Sequence, residues 1–320
     1  MKVVDLFCGC GGLSLGFQQA GFDIIAAYDN WEAATEVYRL NFSHPVHKAD
    51  LMNAARASES IMQYSPEMII GGPPCQDYSS AGERNEDGGR AILTVRFAEI
   101  VTAVRPEWFV MENVSSIMKY SKVFEAMQIF HDAGYGLSYH ILNAALCGVP
   151  QRRKRFFMVG RLGAADGFLD GYFIRHLASR EMTMRDYFGE TLGIDAYYRH
   201  PRSYARRGVF SMDEPSPTVR GVNRPMPSGY KLHHNDPVET LKGVRPLTTM
   251  ERAEIQTFPS SYHWTGNKTA VEQMIGNAVP VKLAAYVGKA VNEYITDSEQ
   301  RPVDYVKREL AVKVHRHIAV

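Results

Sequence analysis

Val3-Val4-Asp5-Leu6-Phe7-Cys8-Gly9-Cys10-Gly11-Gly12-Leu13-Ser14-Leu15-Gly16-Phe17 decides the fold class, because it runs from an apolar extended segment through a glycine turn into helical spacing without a break. Val3 to Phe7 reads as a strand, and Leu13, Leu15, Phe17 and Ala20 begin an amphipathic helix that stops at Gly21. Glycines in such a turn let the backbone approach a ligand, and the N–H groups at the helix start favour a carboxylate or phosphate. The spacing is Gly-x-Gly-Gly, with Ser14 where a dinucleotide fingerprint would carry its third glycine, which argues against NAD or FAD.

Outward from this turn the strand–helix alternation continues. A second strand, Ile24 to Tyr28, ends at Asp29, roughly twenty residues past the glycines, where doubly wound sheets hold ribose hydroxyls. Capping of the next helix, Glu32 to Leu40, is the structural alternative for this acid. Val46 to Asp50 places another acid after a third short strand, and Met68 to Ile70 forms a fourth. The fourth strand runs into Gly71-Gly72-Pro73-Pro74-Cys75-Gln76-Asp77-Tyr78-Ser79-Ser80-Ala81-Gly82. Two prolines restrict their own φ and that of the preceding residue, so they aim the Cys75 thiol as a nucleophile is aimed; a small buried hydrophobe is the plainer reading of a single cysteine. Helix Ala91 to Val104, strand Glu107 to Met111 with Glu112-Asn113-Val114 at its end, and helix Val123 to Ala133 complete the pattern. The expected fold is therefore α/β, a doubly wound and mostly parallel sheet of Rossmann-like form. Its strand ends gather Gly9 to Gly12, Asp29, Asp50, Cys75 and Glu112 along one edge, and separate capping coincidences at each would be needed to imitate that convergence.

Two more strands, Leu137 to Leu142 and Phe156 to Val159, bracket Gln151-Arg152-Arg153-Lys154-Arg155. Strand alternation sets Arg153 and Arg155 on one side, a pair suited to a phosphate or a polar base edge. Beyond Arg161 the periodicity fades, which marks a second, smaller domain rich in strands and loops. The expected division is 1–164 completed by 270–320 for the large domain and 165–269 for the small one. Between Arg199 and Arg245 nine cations face four acids, and Tyr197, Tyr198, Tyr204, Phe210 and Tyr230 interleave with them. That mixture suits phosphates and base edges, with a solvated loop as the alternative. Helix Val281 to Tyr294 returns to the large domain, and Asp297 to Val320 reads as an appended tail.

Bulk properties bound the function class. The 320 residues are 45% hydrophobic and 22% charged with a formal net charge of +1, and the mean hydropathy is −0.25. No apolar run approaches the roughly eighteen residues of a membrane span. The N-terminus lacks a secretory layout, and four cysteines fit a reducing compartment, so a soluble cytoplasmic protein that does not bind membranes is expected. No metal is expected, since Cys8-x-Cys10 is too close for the usual zinc pair.

With these motifs in place the chain resembles the cytosine-5 DNA methyltransferase family of the bacterial and phage restriction-modification type, over nearly its whole length. Asp5 to Gly12 is similar to the family's first motif, Pro73-Pro74-Cys75-Gln76 to its nucleophile motif, Glu112-Asn113-Val114 to its acid motif and Gln151 to Arg155 to its basic motif. Arg245-Pro246-Leu247-Thr248 with Glu251-Arg252 and Gln256-Thr257-Phe258-Pro259 resembles the ninth motif, and Gln273 to Pro280 the tenth. The resemblance implies methyl transfer from S-adenosylmethionine, with S-adenosylhomocysteine as product, to carbon 5 of a flipped-out cytosine in a short sequence of duplex DNA. It implies Cys75 as nucleophile, Glu112 as the acid at ring nitrogen 3, Arg153 on the base carbonyl, Arg155 orienting acid and base, and Pro74, Asn113 and Val114 around the base. It assigns the cofactor to Phe7, Cys10, Gly11, Gly12, Asp29, Asn30, Asp50, Leu51, Pro74, Leu93, Asn277 and Ala278. Where the family commonly has a large apolar residue against the adenine, this chain has Asn30, which leaves Leu51 or Trp31 to cover that face. The small domain then holds the DNA, with Arg206, Arg207, Thr218, Arg220 and Arg224 as contacts. A monomer is expected, with a cognate endonuclease as functional partner; a tRNA cytosine-5 methyltransferase is the alternative, separable by assaying duplex DNA against tRNA.

Overall fold

The computed structural model describes residues 1–74, 91–201, 203 and 205–300. The chain opens β1 (Lys2–Leu6), α1 (Gly12–Gln19), β2 (Asp23–Asp29), α2 (Glu32–Asn41), β3 (Val46–Lys48), α3 (Ala54–Met62), β4 (Met68–Gly71), α4 (Ile92–Val104), β5 (Trp108–Val114), α5 (Ser121–Asp132), β6 (Tyr135–Asn143), β7 (Gln151–Arg152) and β8 (Lys154–Leu162). Seven strands form one sheet in the order β3-β2-β1-β4-β5-β8-β6. The first five are parallel, and β8 runs antiparallel between β5 and β6. Central strands such as Met68-Ile69-Ile70 are apolar throughout because helices cover both faces. The chain winds outward through β2 and β3, then returns to add β4 on the other side of β1. A crevice therefore opens at the carboxyl ends of β1 and β4.

The remainder comprises α6 (Asp170–Arg175), α7 (Met184–Phe188), β9 (Ala196–Tyr198), β10 (Val209–Ser211), β11 (Ser216–Pro217), β12 (Arg245–Pro246), α8 (Thr249–Ile255), α9 (Lys268–Asn277) and α10 (Val281–Gln300). One sheet face packs Val3, Phe17 and Trp108 against Tyr172 of α6 and Leu283, Val287 and Val291 of α10. The other packs Phe97, Ile100, Phe109, Phe130 and Phe156, each such burial contributing about 1.5–3 kcal/mol. A small sheet, β10-β9-β12, shares a third core with α2, α8 and α9 through Tyr197, Phe210, Leu247, Val37, Ala253 and Met274. Strand β11 leaves that region to lie parallel to β7, with Ser216 opposite Gln151 and Pro217 opposite Arg152.

Three expectations change. Strand β5 continues through Glu112, Asn113 and Val114 instead of ending at Met111, so the acid sits on extended, sheet-paired backbone. Helices α3, α8 and α9 lie in stretches that the periodicity did not mark as helical; Asn53, Thr248 and Asn267 cap them by accepting from the third residue onward. Helix α10 extends to Gln300, so Asp297 is helical rather than the start of a tail, and it accepts from Tyr172 at 3.0 Å. Residues 301–320 lie outside the described residues.

Gly160 on β8 pairs with Phe109, and a methyl group there would overlap the Phe109 ring. That ring is stacked on Phe130 at 3.9 Å, so it has no room to retreat. Gly160→Ala is expected to lower stability by about 1–3 kcal/mol, read as a shift in the urea midpoint with an unchanged slope.

Candidate active site

The crevice is a cleft of about 1370 Å³ whose wall carries Phe7, Asp29, Asp50, Glu112, Arg155 and Arg220 among others. At its floor Glu112 is 8% exposed, and its Oε1 lies 2.9 Å from Arg155 Nε. Burial pushes the carboxyl above its ordinary range, while the Arg155 and then the Arg153 guanidinium pull it down; burial wins. Opposite, a Cβ on Gly72 would stand 3.1 Å from Glu112 Oε2, so glycine lets the Pro-Pro turn pass this close. Asn113 Nδ2 donates to the Pro73 carbonyl at 3.1 Å while its Oδ1 accepts from Val114 N at 2.8 Å. The side chain of Asn113, more than its backbone, thus holds the turn two residues before Cys75. Cys75 lies outside the described residues; Pro73 and Pro74 line the cleft.

Arg153 and Arg155 both line the cleft but have different partners. The chain turns between β7 and β8, with Arg153 N donating to Gln151 O at 2.9 Å, and strand alternation does not cross that turn. Arg153 is 1% exposed. Its guanidinium donates to the carbonyls of Val219 at 3.1 Å, Gly276 at 3.0 Å and Ala278 at 3.0 Å. The ion pair with the acid is made by Arg155, and Arg153 is near enough to pull on the carboxyl as well.

The glycine turn begins at Phe7, whose φ of 58° is left-handed, a conformation costly for a side-chain-bearing residue. Asp29 ties two loops together: Oδ2 accepts from Gly9 N and Oδ1 from Trp31 N, each at 2.8 Å. It does not cap α2, whose N-cap is Trp31. Phe7, Cys10, Gly12, Asp29, Asn30, Asp50, Leu51, Pro74, Leu93, Asn277 and Ala278 all line the cleft. Gly11 does not; it has φ 91°, and a side chain there would strike Phe42 and the Tyr262 hydroxyl. Trp31 also lines the cleft while packing on the third core, so both Leu51 and Trp31 remain beside Asn30.

Of the expected DNA contacts, Thr218, Arg220 and Arg224 reach the cleft, and Arg206 and Arg207 do not line it. Arg207 pairs with Glu214 at 2.5 Å and lies over Phe210. His200, Pro201, Val222 and Gln273 line the cleft as well. His200 belongs to the Arg- and Tyr-rich stretch that signals this face, and Gln273 opens the stretch that resembles the tenth motif. Among the described residues no group of three metal-ligating side chains occurs.

Beneath the glycine turn, Asp5 is fully buried and accepts from Ser14 Oγ at 2.5 Å. Ser14 meets Tyr38 OH at 2.7 Å, and Tyr38 meets His44 Nε2 at 2.7 Å. Burial, opposed by the Ser14 hydrogen bond and reinforced by Asp29, raises Asp5 to about 8.

The architecture is shared with solved methyltransferases. The Dnmt2 methyltransferase of S. pombe matches with a TM-score of 0.68 at 18% identity, covering 92% of this chain and 99% of that one. The Entamoeba histolytica methyltransferase EhMeth matches at 0.63 and 17% identity, covering 92% and 98%. The seven-stranded, mostly parallel sheet is the fold the chain shares with these two proteins. The family described as C-5 cytosine-specific DNA methylase matches residues 1–293, and the chain belongs to it as a DNA (cytosine-5-)-methyltransferase. It is 55% identical over 305 residues to the Type II methyltransferase M.HindV of Haemophilus influenzae, spanning 95% of this chain and 99% of that protein. It is 52% identical over 296 residues to M.HgiDI of Herpetosiphon aurantiacus, spanning 92% and 95%.

An acid whose folded pKa is raised adds stability in full below its unfolded pKa and loses it as pH rises through the folded value. Wild type should therefore lose stability between about pH 4 and pH 8 relative to Asp5→Asn, which keeps an acceptor for Ser14. Thermal melts of both across that range read the difference; parallel curves would refute it.

Proposed function

We propose that this chain transfers a methyl group from S-adenosylmethionine to carbon 5 of a flipped-out cytosine within a short specific sequence of duplex DNA, as the methyltransferase of a Type II restriction-modification pair. One observation carries the reading: the Arg155-paired, buried Glu112 lies beside the Gly72-Pro73 backbone, which Cys75 follows in sequence, with Gly72 allowing the approach. The restriction-modification role is supported by the names of the relatives M.HindV and M.HgiDI. In this reading the protein acts as a monomer, since cofactor cradle, acid and basic loop of one chain line one cleft, and it works in the cytoplasm, where the DNA and the paired endonuclease of such a system would be. No helix among the described residues is long and apolar enough to cross a membrane.

The residues fit the cofactor by the chemistry they offer. Asp29 presents a carboxylate at ribose depth, and Phe7, Leu51, Trp31 and Leu93 offer apolar surface for a purine, with Asp50 exposed at the rim as an acceptor for its amino group. Gly12 and Ala278 close the other side, where a methyl on Gly12 would meet the Val279 carbonyl. When bound, S-adenosylmethionine supplies an electrophilic methyl group beside the base.

Carbon 5 of cytosine is too weak a nucleophile to react unaided. The Cys75 thiolate forms a bond to carbon 6, the ring electrons shift toward nitrogen 3, and the protonated Glu112 carboxyl donates there. Carbon 5 is then electron-rich and would take the methyl group, the electrons of the broken methyl–sulfur bond leaving with S-adenosylhomocysteine. Loss of the carbon-5 proton to a water or base would expel the Cys75 thiolate, and return of the nitrogen-3 proton to Glu112 would restore the neutral ring. Arg155, already on Glu112, is placed to hold the base carbonyl; Arg153, committed to three backbone carbonyls, holds the pocket's frame instead. The base must leave the stack, at a cost of a few kcal/mol, while Thr218, Arg220 and Arg224 face the duplex. In this proposal the DNA-reading unit begins after α6, because Leu169, Tyr172 and Phe173 sit in the core of the large sheet.

Cys75→Ser should abolish methyl transfer while S-adenosylhomocysteine binding stays within a few fold. Duplex DNA carrying 5-fluorocytosine at the target should trap wild type in a denaturation-resistant adduct, and active enzyme that leaves no adduct would sink the cysteine addition. Glu112→Gln should lower kcat by about 10²–10⁴-fold, the range of a general acid. Turnover on tRNA in place of duplex DNA would redirect the proposal to an RNA substrate.

A further inference from the structure

Gln151 and Gln256 are both fully buried, and a buried amide is retained only when its groups are paired. Here they form a directed relay. Val219 N donates to Gln151 Oε1 at 2.8 Å, Gln151 Nε2 donates to Gln256 Oε1 at 2.7 Å, and Gln256 Nε2 donates to the carbonyls of Ile275 at 2.5 Å and Ala278 at 3.0 Å. Arg153 runs alongside it, from the Val219 carbonyl to those of Gly276 and Ala278. Both backbone groups of Val219 are thereby held by side chains of the 151–153 segment, and the flanking Thr218 hydroxyl donates to Arg152 O at 2.8 Å.

The relay's two ends lie in different parts of the site. Val219 stands between Thr218 and Arg220, on the basic loop that lines the cleft. Ala278 follows Asn277 on the wall of the cofactor cradle, and two residues beyond Arg153 lies Arg155, the partner of Glu112. The loop also crosses α9 so closely that a methyl group on Gly276 would overlap Gly221. Val219 is also packed in the third core, and Arg199 and Arg252 donate to the carbonyls of Thr218 and Arg220, so the amide pair adds a directed link to a loop already in contact.

We propose that Gln151 and Gln256 are positioning residues for methyl transfer: their amide pair fixes the basic loop, through Val219, at one distance from the cofactor wall and the Glu112 pocket. The inference rests on the activity proposed above. Neither amide lines the cleft, so their loss should displace the reacting groups without removing a ligand contact, and misplacement on the order of 1 Å costs about a hundredfold in rate.

Gln151→Met and Gln256→Met keep the volume and remove the polar relay. With duplex DNA and S-adenosylmethionine both saturating, kcat should fall about tenfold to a hundredfold. The Kd of S-adenosylhomocysteine by calorimetry, and of DNA by gel shift, should stay within about threefold. Because both amides act through one link, the double variant should be little slower than the slower single. Gln151→Glu, kept protonated by its burial, still accepts from Val219 N and donates its carboxyl O–H to Gln256 Oε1 with the second amide unturned, so it should recover part of the loss even if the Met variants fold poorly. Unchanged kcat in folded variants, multiplicative effects in the double, or equal losses in both affinities and melting temperature with no rescue by glutamate would overturn the proposal. Wild-type turnover on the same duplex checks the activity itself separately.

Discussion

The reversal of winding between β1 and β4 is the constraint from which the site follows. Adjacent parallel strands whose connections leave in opposite directions cannot both be covered by a crossover at their carboxyl ends, so a crevice is left there. The glycine turn after β1, Asp29 after β2 and the Pro-Pro turn after β4 enter it because the sheet order brings their strands together. Asp29 makes this a joint as well as a coincidence of position, since one carboxylate accepts from the loops after both β1 and β2. Phe7 bears the local cost, in a left-handed backbone conformation that the surrounding bonds enforce.

Electrostatics at the floor are a balance and not a single interaction. A fully paired buried ion pair gains little net stability, because desolvation offsets most of the attraction. Glu112 and Arg155 are therefore poorly explained as a stability device. Their value lies in the opposition between burial, which favours the neutral acid, and two guanidiniums, which favour the carboxylate. An acid held near that balance can donate a proton and accept it back without large reorganisation.

Much of this was legible in the sequence because strand ends and turns are written locally. The glycine turn, Asp29, the Pro-Pro turn and Glu112 are each recognisable from neighbours within a few residues, and the alternation of elements orders them along one edge. What could not be read was partner choice over long separations. Arg153 and Arg155 are two residues apart, yet one meets carbonyls 66 and more than 120 residues away and the other meets Glu112. Arg207 reads as a phosphate ligand in the sequence, which gives no sign that it pairs with Glu214 and lies over Phe210. Gly11 matches its motif but is turned toward Phe42 and Tyr262. Helices α8 and α9 are short, and their capping residues mark their starts more clearly than their periodicity does.

Helix α10 closes the face of the sheet on which α1 lies, and Asn292 donates to the Ala20 carbonyl across 272 residues of sequence. Gly16 and Gly288 allow the two helices to approach until a side chain at either would clash with Ala284 or Ala20. During synthesis the N-terminal strands emerge long before their cover does. At about 5–20 residues per second, Val3, Phe17 and Ile24 wait on the order of tens of seconds for Leu283, Val287 and Val291. For that interval an apolar sheet face is open to water and to neighbouring chains, so the ribosome-bound intermediate is a natural client for chaperones.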